Sequence, residues 1–200
     1  MIRFYNFFGP FFPIIKKIKK TTSFLKHQFI LGCLYKCMAR NIREIVQDAD
    51  YHIIARINRN EKLFVSKPAK VLMMDVLAKA KKRYSFEINH FCIMTTHIHL
   101  LIKPDDANEL PRIMQWILSV FAVAYNKMYG LHGHLWYDRY KSIVITQEDL
   151  FALVYHYISN NPVKAGMVVN PLDYEFCGDY HVHNKITSLL DPFKYKDQFY

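Results

Sequence analysis

The sequence predicts an α+β fold: a ferredoxin-like antiparallel sheet laid out β-α-β-β-α-β, with helices on one face and an additional helix after the last strand. Three observations predict it. Segments at 50–57, 86–94, 97–102 and 141–145 have the length and the apolar, partly alternating composition of strands. Two longer segments, one running to about Arg83 and one from about Leu110 to Tyr129, carry apolar residues at helical spacing. Only Thr95-Thr96 separates the second and third strand segments, a turn tight enough to pair them antiparallel.

Each element has its own signal. Asp50–Ile57 is the first strand, and Asn58-Arg-Asn-Glu is a polar turn. Ser66 is placed to cap a helix that Pro68 opens, because proline is tolerated in a first helical turn. Val71, Leu72, Val76 and Leu77 give that helix its apolar side, and Lys79, Lys81, Lys82 and Arg83 suit the negative end of its dipole. Phe86–Met94 and His97–Ile102 are the second and third strands. After the loop 104–108, Ile113, Trp116, Ile117, Val120, Phe121 and Ala124 mark one stripe of a helix that Gly130 ends. Residues 131–137 are a Gly/His-rich loop and Lys141–Ile145 is the fourth strand. Thr146-x-x-Asp149 has the form of a capping box for a helix over 147–160, which Asn161-Pro162 terminates.

Composition bounds the function. The chain is 52% hydrophobic and 22% charged, with fourteen Tyr and fifteen Phe, so it can bury a core and is not of the disordered class. Its formal charge of +10 suits an anionic partner. Seven of its 27 Lys/Arg fall in residues 1–37, which hold no acid, so the remainder carries 20 basic against 17 acidic residues. Residues 1–37 admit three readings: a lipid-surface anchor, a non-specific DNA attachment, or an extension upstream of a start at Met38. The last is preferred, with the domain at 38–182 and a tail at 183–200. Cys33, Cys37, Cys92 and Cys177 match no zinc or redox spacing and fit reduced thiols of a cytoplasmic protein. No stretch is long and apolar enough to cross a membrane: Phe4–Ile15 is short and broken by Gly9, Pro10 and Pro13.

The chemistry centres on His97-Ile98-His99. Residues two apart on a strand share a face, so the two imidazoles form a pre-positioned pair of metal ligands. The same spacing fits two rings packed or hydrogen-bonded in the interior. Tyr157 and Asn161 are four apart on the last helix and so lie on one side of it, a phenol beside an amide oxygen. Taken singly, each fits a structural role. Taken with the histidines, they form a three-ligand site with open positions that suits Mg²⁺ or Mn²⁺, next to a nucleophile.

Four blocks carry a resemblance. They are Phe91-Cys-Ile-Met-Thr-Thr-His97-Ile-His99-Leu-Leu-Ile, Tyr125-Asn-Lys-Met-Tyr-Gly130, Gly133-His-Leu-Trp-Tyr-Asp-Arg139-Tyr-Lys-Ser142 and Tyr157-Ile-Ser-Asn-Asn161-Pro-Val-Lys-Ala-Gly-Met167. In this order they resemble the single-tyrosine HUH transposases, and among these the REP-associated tyrosine transposases. The resemblance implies that His97 and His99 bind a divalent metal, Mg²⁺ or Mn²⁺, with Asn161 as third ligand. It implies that Tyr157 attacks single-stranded DNA to form a 5′-phosphotyrosine and a free 3′-hydroxyl. Rejoining reverses that step, and the substrate is a hairpin or foldback beside a mobile or repetitive element. It further implies a bacterial, cytoplasmic protein, acting as a monomer or homodimer and needing no membrane. The chain departs from the pattern at Thr95-Thr96, where many relatives have Pro-Asn, and at Asn160-Asn161, where many have Leu-Asn. Alignment on Asn-Pro selects Asn161 over Asn160, and Tyr155 is the rival nucleophile.

Arg139, Lys141 and Lys164 lie in these blocks with Trp136, Tyr137 and Tyr140 among them. Basic groups contact phosphates, and aromatics stack on unpaired bases for roughly 1–3 kcal/mol each. A solvated basic face with Trp136 and Tyr140 in the core fits the same residues equally well. Two function classes follow: an active transposase, or a domesticated or inactive DNA-binding module of the same fold. The intact set His97, His99, Tyr157 and Asn161 favours the first. A metal hydrolase of another class often shows an HExxH-type motif, which the chain lacks.

Overall fold

Strand alternation writes two different faces onto the same sheet. Odd-numbered Tyr51, Ile53 and Ala55 oppose Ile102, Leu100 and Ile98, an apolar face, whereas His52, Ile54 and Arg56 oppose Leu101, His99 and His97. The computed structural model describes residues 44–186 and 188–192. The extension 1–37, the start read at Met38, Cys33 and Cys37 lie outside the described residues.

Among the described residues the sheet holds β1 (Asp50–Arg56), β2 (Phe86–Ile93), β3 (His97–Pro104) and β4 (Lys141–Ile145). Their spatial order is β2-β3-β1-β4, and every pairing is antiparallel. Helix α1 (Lys67–Arg83) connects β1 to β2, and α2 (Leu110–Tyr129) connects β3 to β4. Then follow α3 (Glu148–Ser159), the single turn α4 (Asn161–Lys164) and α5 (Gly178–His183). This is the α+β, β-α-β-β-α-β arrangement read from the sequence.

Helices α1 and α2 pack on each other and turn Met73, Val76, Leu77, Ile113, Met114, Ile117 and Phe121 inward, all buried. With Ile53, Ile88, Ile98, Leu100 and Ile102 from the apolar sheet face they make the main core. Each such side chain contributes about 1.5–3 kcal/mol by leaving water. Gly130 ends α2 in the left-handed region at φ 63, which lets the Leu131 amide turn back to the Asn126 carbonyl at 2.9 Å. Helix α3 lies on the other, histidine-bearing face of the sheet.

β2 is the outer strand of the ladder. Its open side is covered by the C-terminal segment: the Ile93 amide donates to the Phe176 carbonyl, the backbones of Cys92 and Cys177 form an isolated β-bridge, and the Asp191 carboxylate accepts from the Ile88 amide. Leu189, in the same segment, is buried. Ser66 is the N-cap residue of α1 but makes no side-chain cap; its hydroxyl pairs with the Tyr129 hydroxyl at 2.7 Å. The N-cap of α3 is Gln147 rather than Thr146, again without a side-chain cap, and Glu148 and Asp149 serve the first turn through the dipole. Pro162 does not end the helical path. It breaks it at Asn160 and then sits in the first turn of α4, where its missing N–H costs nothing.

Candidate active site

The histidine face of the sheet is built by register. Cross-strand pairing puts Cys92, His99, Ile54 and Lys141 in one row and His97 beside Arg56 in the next. A bulge between Ile88 and His90 shifts β2 so that His90 joins the same face opposite Leu101. His97 and His99 stand with ring centroids 4.8 Å apart at 80°. His99 is buried and His97 half-buried at the rim. The His97 Nδ1 pairs with the Thr96 hydroxyl at 3.0 Å.

Helix α3 lays Tyr157 edge-on against these rings. Its centroid is 5.7 Å from that of His99 and 6.0 Å from that of His52. One turn on, the side chain of Asn161 is buried beside the Tyr157 phenol. Asn160 points elsewhere: its amide donates to its own helix at the His156 carbonyl, 2.8 Å away and exposed. The break at Asn160 thus separates the two asparagines by direction. The Lys164 ammonium lies 4.9 Å from the centre of the Tyr157 ring, a cation–π contact.

Electrostatics follow from burial. Desolvation pushes the Tyr157 phenol above the usual tyrosine range, and the Arg56 charge and the polar Asn161 side chain pull it back in part. Burial, then the Arg56 charge, lowers His97 to about 4. Burial, then the neighbouring imidazoles, lowers His52 to about 3 and holds His99 well below its ordinary value. All three rings are therefore neutral near pH 7, the state in which an imidazole nitrogen can ligate a metal.

The donor set fits a divalent ion. The His99 Nε2 is buried with no hydrogen-bond partner among the described residues, as a nitrogen kept for a metal would be. Among the described residues no three His, Cys, Asp or Glu side chains gather into a metal-sized cluster. A metal here would therefore rely on His97 and His99 together with the amide oxygen of Asn161.

The structure thus brings His97, His99, Tyr157, Asn161 and Lys164 together, with Lys141 exposed in the row of His99 and Arg139 exposed two residues before it. It does not bring Trp136 and Tyr140 to that surface. The Trp136 indole donates to the Leu118 carbonyl at 2.8 Å, lies 5.6 Å from the Phe121 ring and bridges Ile57, all on the opposite sheet face. Tyr140 is buried. Rings so packed do not offer a flat face to a base; exposed Tyr137 beside them does. Sequence reasoning missed His52, Arg56 and His90. Strand alternation in Tyr51–Arg56 already puts His52 and Arg56 on one face, but only the β1–β3 register sets that face against His97 and His99.

No curated protein matches the chain. The family model described as IS200-like transposase matches residues 45–161, a span that opens just before β1 and closes on Asn161. Among solved structures the chain is similar to a REP-associated tyrosine transposase bound to a REP hairpin. The two share 21% identity over 78% of this chain and 89% of that one, with a TM-score of 0.63, a likeness of fold. A candidate transposase from Deinococcus radiodurans R1 is 20% identical over 61% of this chain and 97% of that one, with a TM-score of 0.44.

Proposed function

The chain belongs to the IS200-like transposase family, and from that premise we propose that it cleaves and rejoins single-stranded DNA at a hairpin through a 5′-phosphotyrosine on Tyr157. The observation that carries this reading is the meeting of the Tyr157 phenol with His99 and Asn161 on one buried face. The REP hairpin in the similar structure supports hairpin DNA as the substrate class.

The Tyr157 oxygen attacks the phosphorus of a phosphodiester. The bond from phosphorus to the 3′-oxygen breaks, the phenolic proton is lost to solvent, and the departing 3′-oxygen takes one up. Attack of a 3′-hydroxyl on the phosphotyrosine reverses these changes, so no nucleotide cofactor is consumed. Burial raises the phenol's pKa, so attack needs help, and Arg56 and Asn161 both favour the phenolate. Lys164, held on the Tyr157 ring, supplies positive charge where a phosphate must approach. His97, His99 and Asn161 would hold Mg²⁺ or Mn²⁺. Such an ion, when bound, polarises the phosphate and offsets transition-state charge. Arg139 and Lys141 extend the basic surface along which the DNA backbone would run.

The test is an adduct assay. The purified protein is incubated with labelled single-stranded hairpin DNA from beside its own gene, with Mn²⁺ or with EDTA, and run on a denaturing gel. A metal-dependent covalent band that is lost in Tyr157→Phe is expected. DNA binding without any band, across several hairpins, would instead identify a binding module of the same fold.

A further inference from the structure

Beneath the proposed metal pair lies a third histidine. His52 is fully buried on β1, which is paired on both sides, by β3 and by β4. Its Nε2 lies 2.9 Å from the Nδ1 of His99. The two rings are nearly parallel, 23° apart, with centroids at 5.2 Å. Two neutral imidazoles in such contact share one proton between the facing nitrogens, and the choice of owner decides what His99 presents on its far side. If His52 donates, Nδ1 of His99 is the acceptor and its Nε2 carries the hydrogen. If His99 donates from Nδ1, its Nε2 is left with a lone pair. That Nε2 is the buried atom without a hydrogen-bond partner among the described residues. Only the second arrangement leaves that atom a lone pair to give to a metal.

We propose that His52 is a positioning residue: its Nε2 accepts a hydrogen bond from the His99 Nδ1–H and so fixes the tautomer and ring orientation in which His99 Nε2 binds a divalent metal. This rests on the metal-site reading above and goes beyond it, because His52 itself touches neither metal nor DNA. The central position of β1 explains why the acceptor is rigid. Tyr157, edge-on to both His52 and His99, closes the pair from the helix side.

The experiment is Mn²⁺ titration by calorimetry on the full chain without DNA, with histidine ¹⁵N spectra to read the tautomers. Four proteins are compared: wild type, His52→Gln, His52→Phe and His99→Ala. Glutamine can set its side-chain oxygen where Nε2 stood and still accept; phenylalanine fills the space and cannot. Wild type should show His99 protonated at Nδ1. His52→Gln should bind Mn²⁺ within a few-fold of wild type, and His52→Phe about 10–100-fold more weakly, the usual cost of losing a partner behind a metal-bound histidine. Equal affinity in a folded His52→Phe, or a wild-type His99 protonated at Nε2, overturns the proposal. The tautomer readout needs only wild type, so it stands even if His52→Phe fails to fold. No Mn²⁺ binding by wild type, or none lost in His99→Ala, would instead overturn the metal-site reading beneath it.

Discussion

Tyr155 and His90 stack face to face, ring centroids 4.0 Å apart and planes 12° from parallel. His90 is further tied to the Ser159 hydroxyl at 3.0 Å. The two tyrosines of α3 thus meet different histidines: Tyr155 stacks on His90, and Tyr157 stands edge-on to His52 and His99. Tyr155→Phe keeps the stacked ring and should form the DNA adduct at close to the wild-type level, while Tyr157→Phe should form none. An adduct surviving in Tyr157→Phe and lost in Tyr155→Phe would reverse the assignment.

The asparagines can be separated in the same way. Asn161→Ala removes the buried amide beside the phenol and should lower the adduct rate at least tenfold, with a stronger Mn²⁺ requirement. Asn160→Ala removes only an exposed bond to its own helix and should change the rate less than two-fold. Single-turnover rates over a range of Mn²⁺ concentrations decide between them.

Acid should weaken the fold in a defined window. His52, His97 and His99 take up protons at about 6.5 when unfolded but resist them when folded, His97 down to about 4 and His52 to about 3. Between those values the unfolded chain holds more protons, so stability falls as pH falls, by about 1.4 kcal/mol per pH unit for each proton. His181 acts in the same direction. Asp50 opposes them: burial raises it to about 6, so between its unfolded value of 3.8 and that point the folded chain holds the extra proton. The histidines outnumber it. Urea midpoints measured in EDTA should therefore drop steadily from pH 7 to pH 5, and a flat profile would show that the rings titrate as ordinary exposed histidines.

Gly178→Ala should destabilise the protein. A Cβ built there would come within 2.2 Å of the His90 Nδ1. That ring cannot yield, since it is fully buried between Tyr155 and Ser159. Overpacking of this kind costs about 1–3 kcal/mol, and each kcal/mol lowers the melting temperature by about 2–4 °C in a domain of this size. Thermal melts of the two proteins test it.

What the sequence made legible is what local pattern encodes. Alternation and apolar spacing located β4 to the residue and α2 from Leu110 to Tyr129, because both are bounded by sharp polar or Gly-rich breaks. The face shared by His97 and His99 follows from strand geometry alone. Hidden were the relations that depend on register and long-range closure. His52 stands 47 residues from His99, and nothing local says that β1 rather than β2 supplies the ring behind it. For Trp136 the sequence fits base stacking and core packing equally; its indole reaches Leu118 on the far side of the sheet. The cover on β2 comes from residues 174–186 and 188–191, whose short elements carry no periodic signal.

The Tyr157 ring lies against His52 and His99 of its own chain, and Asn161 follows one turn on, past the break at Asn160. On the function proposed above, a helix seated this way lets one molecule make a single cut by itself. Cutting per molecule should then not depend on dilution, and two crippled copies, one lacking Tyr157 and the other His99, should not rescue each other when mixed.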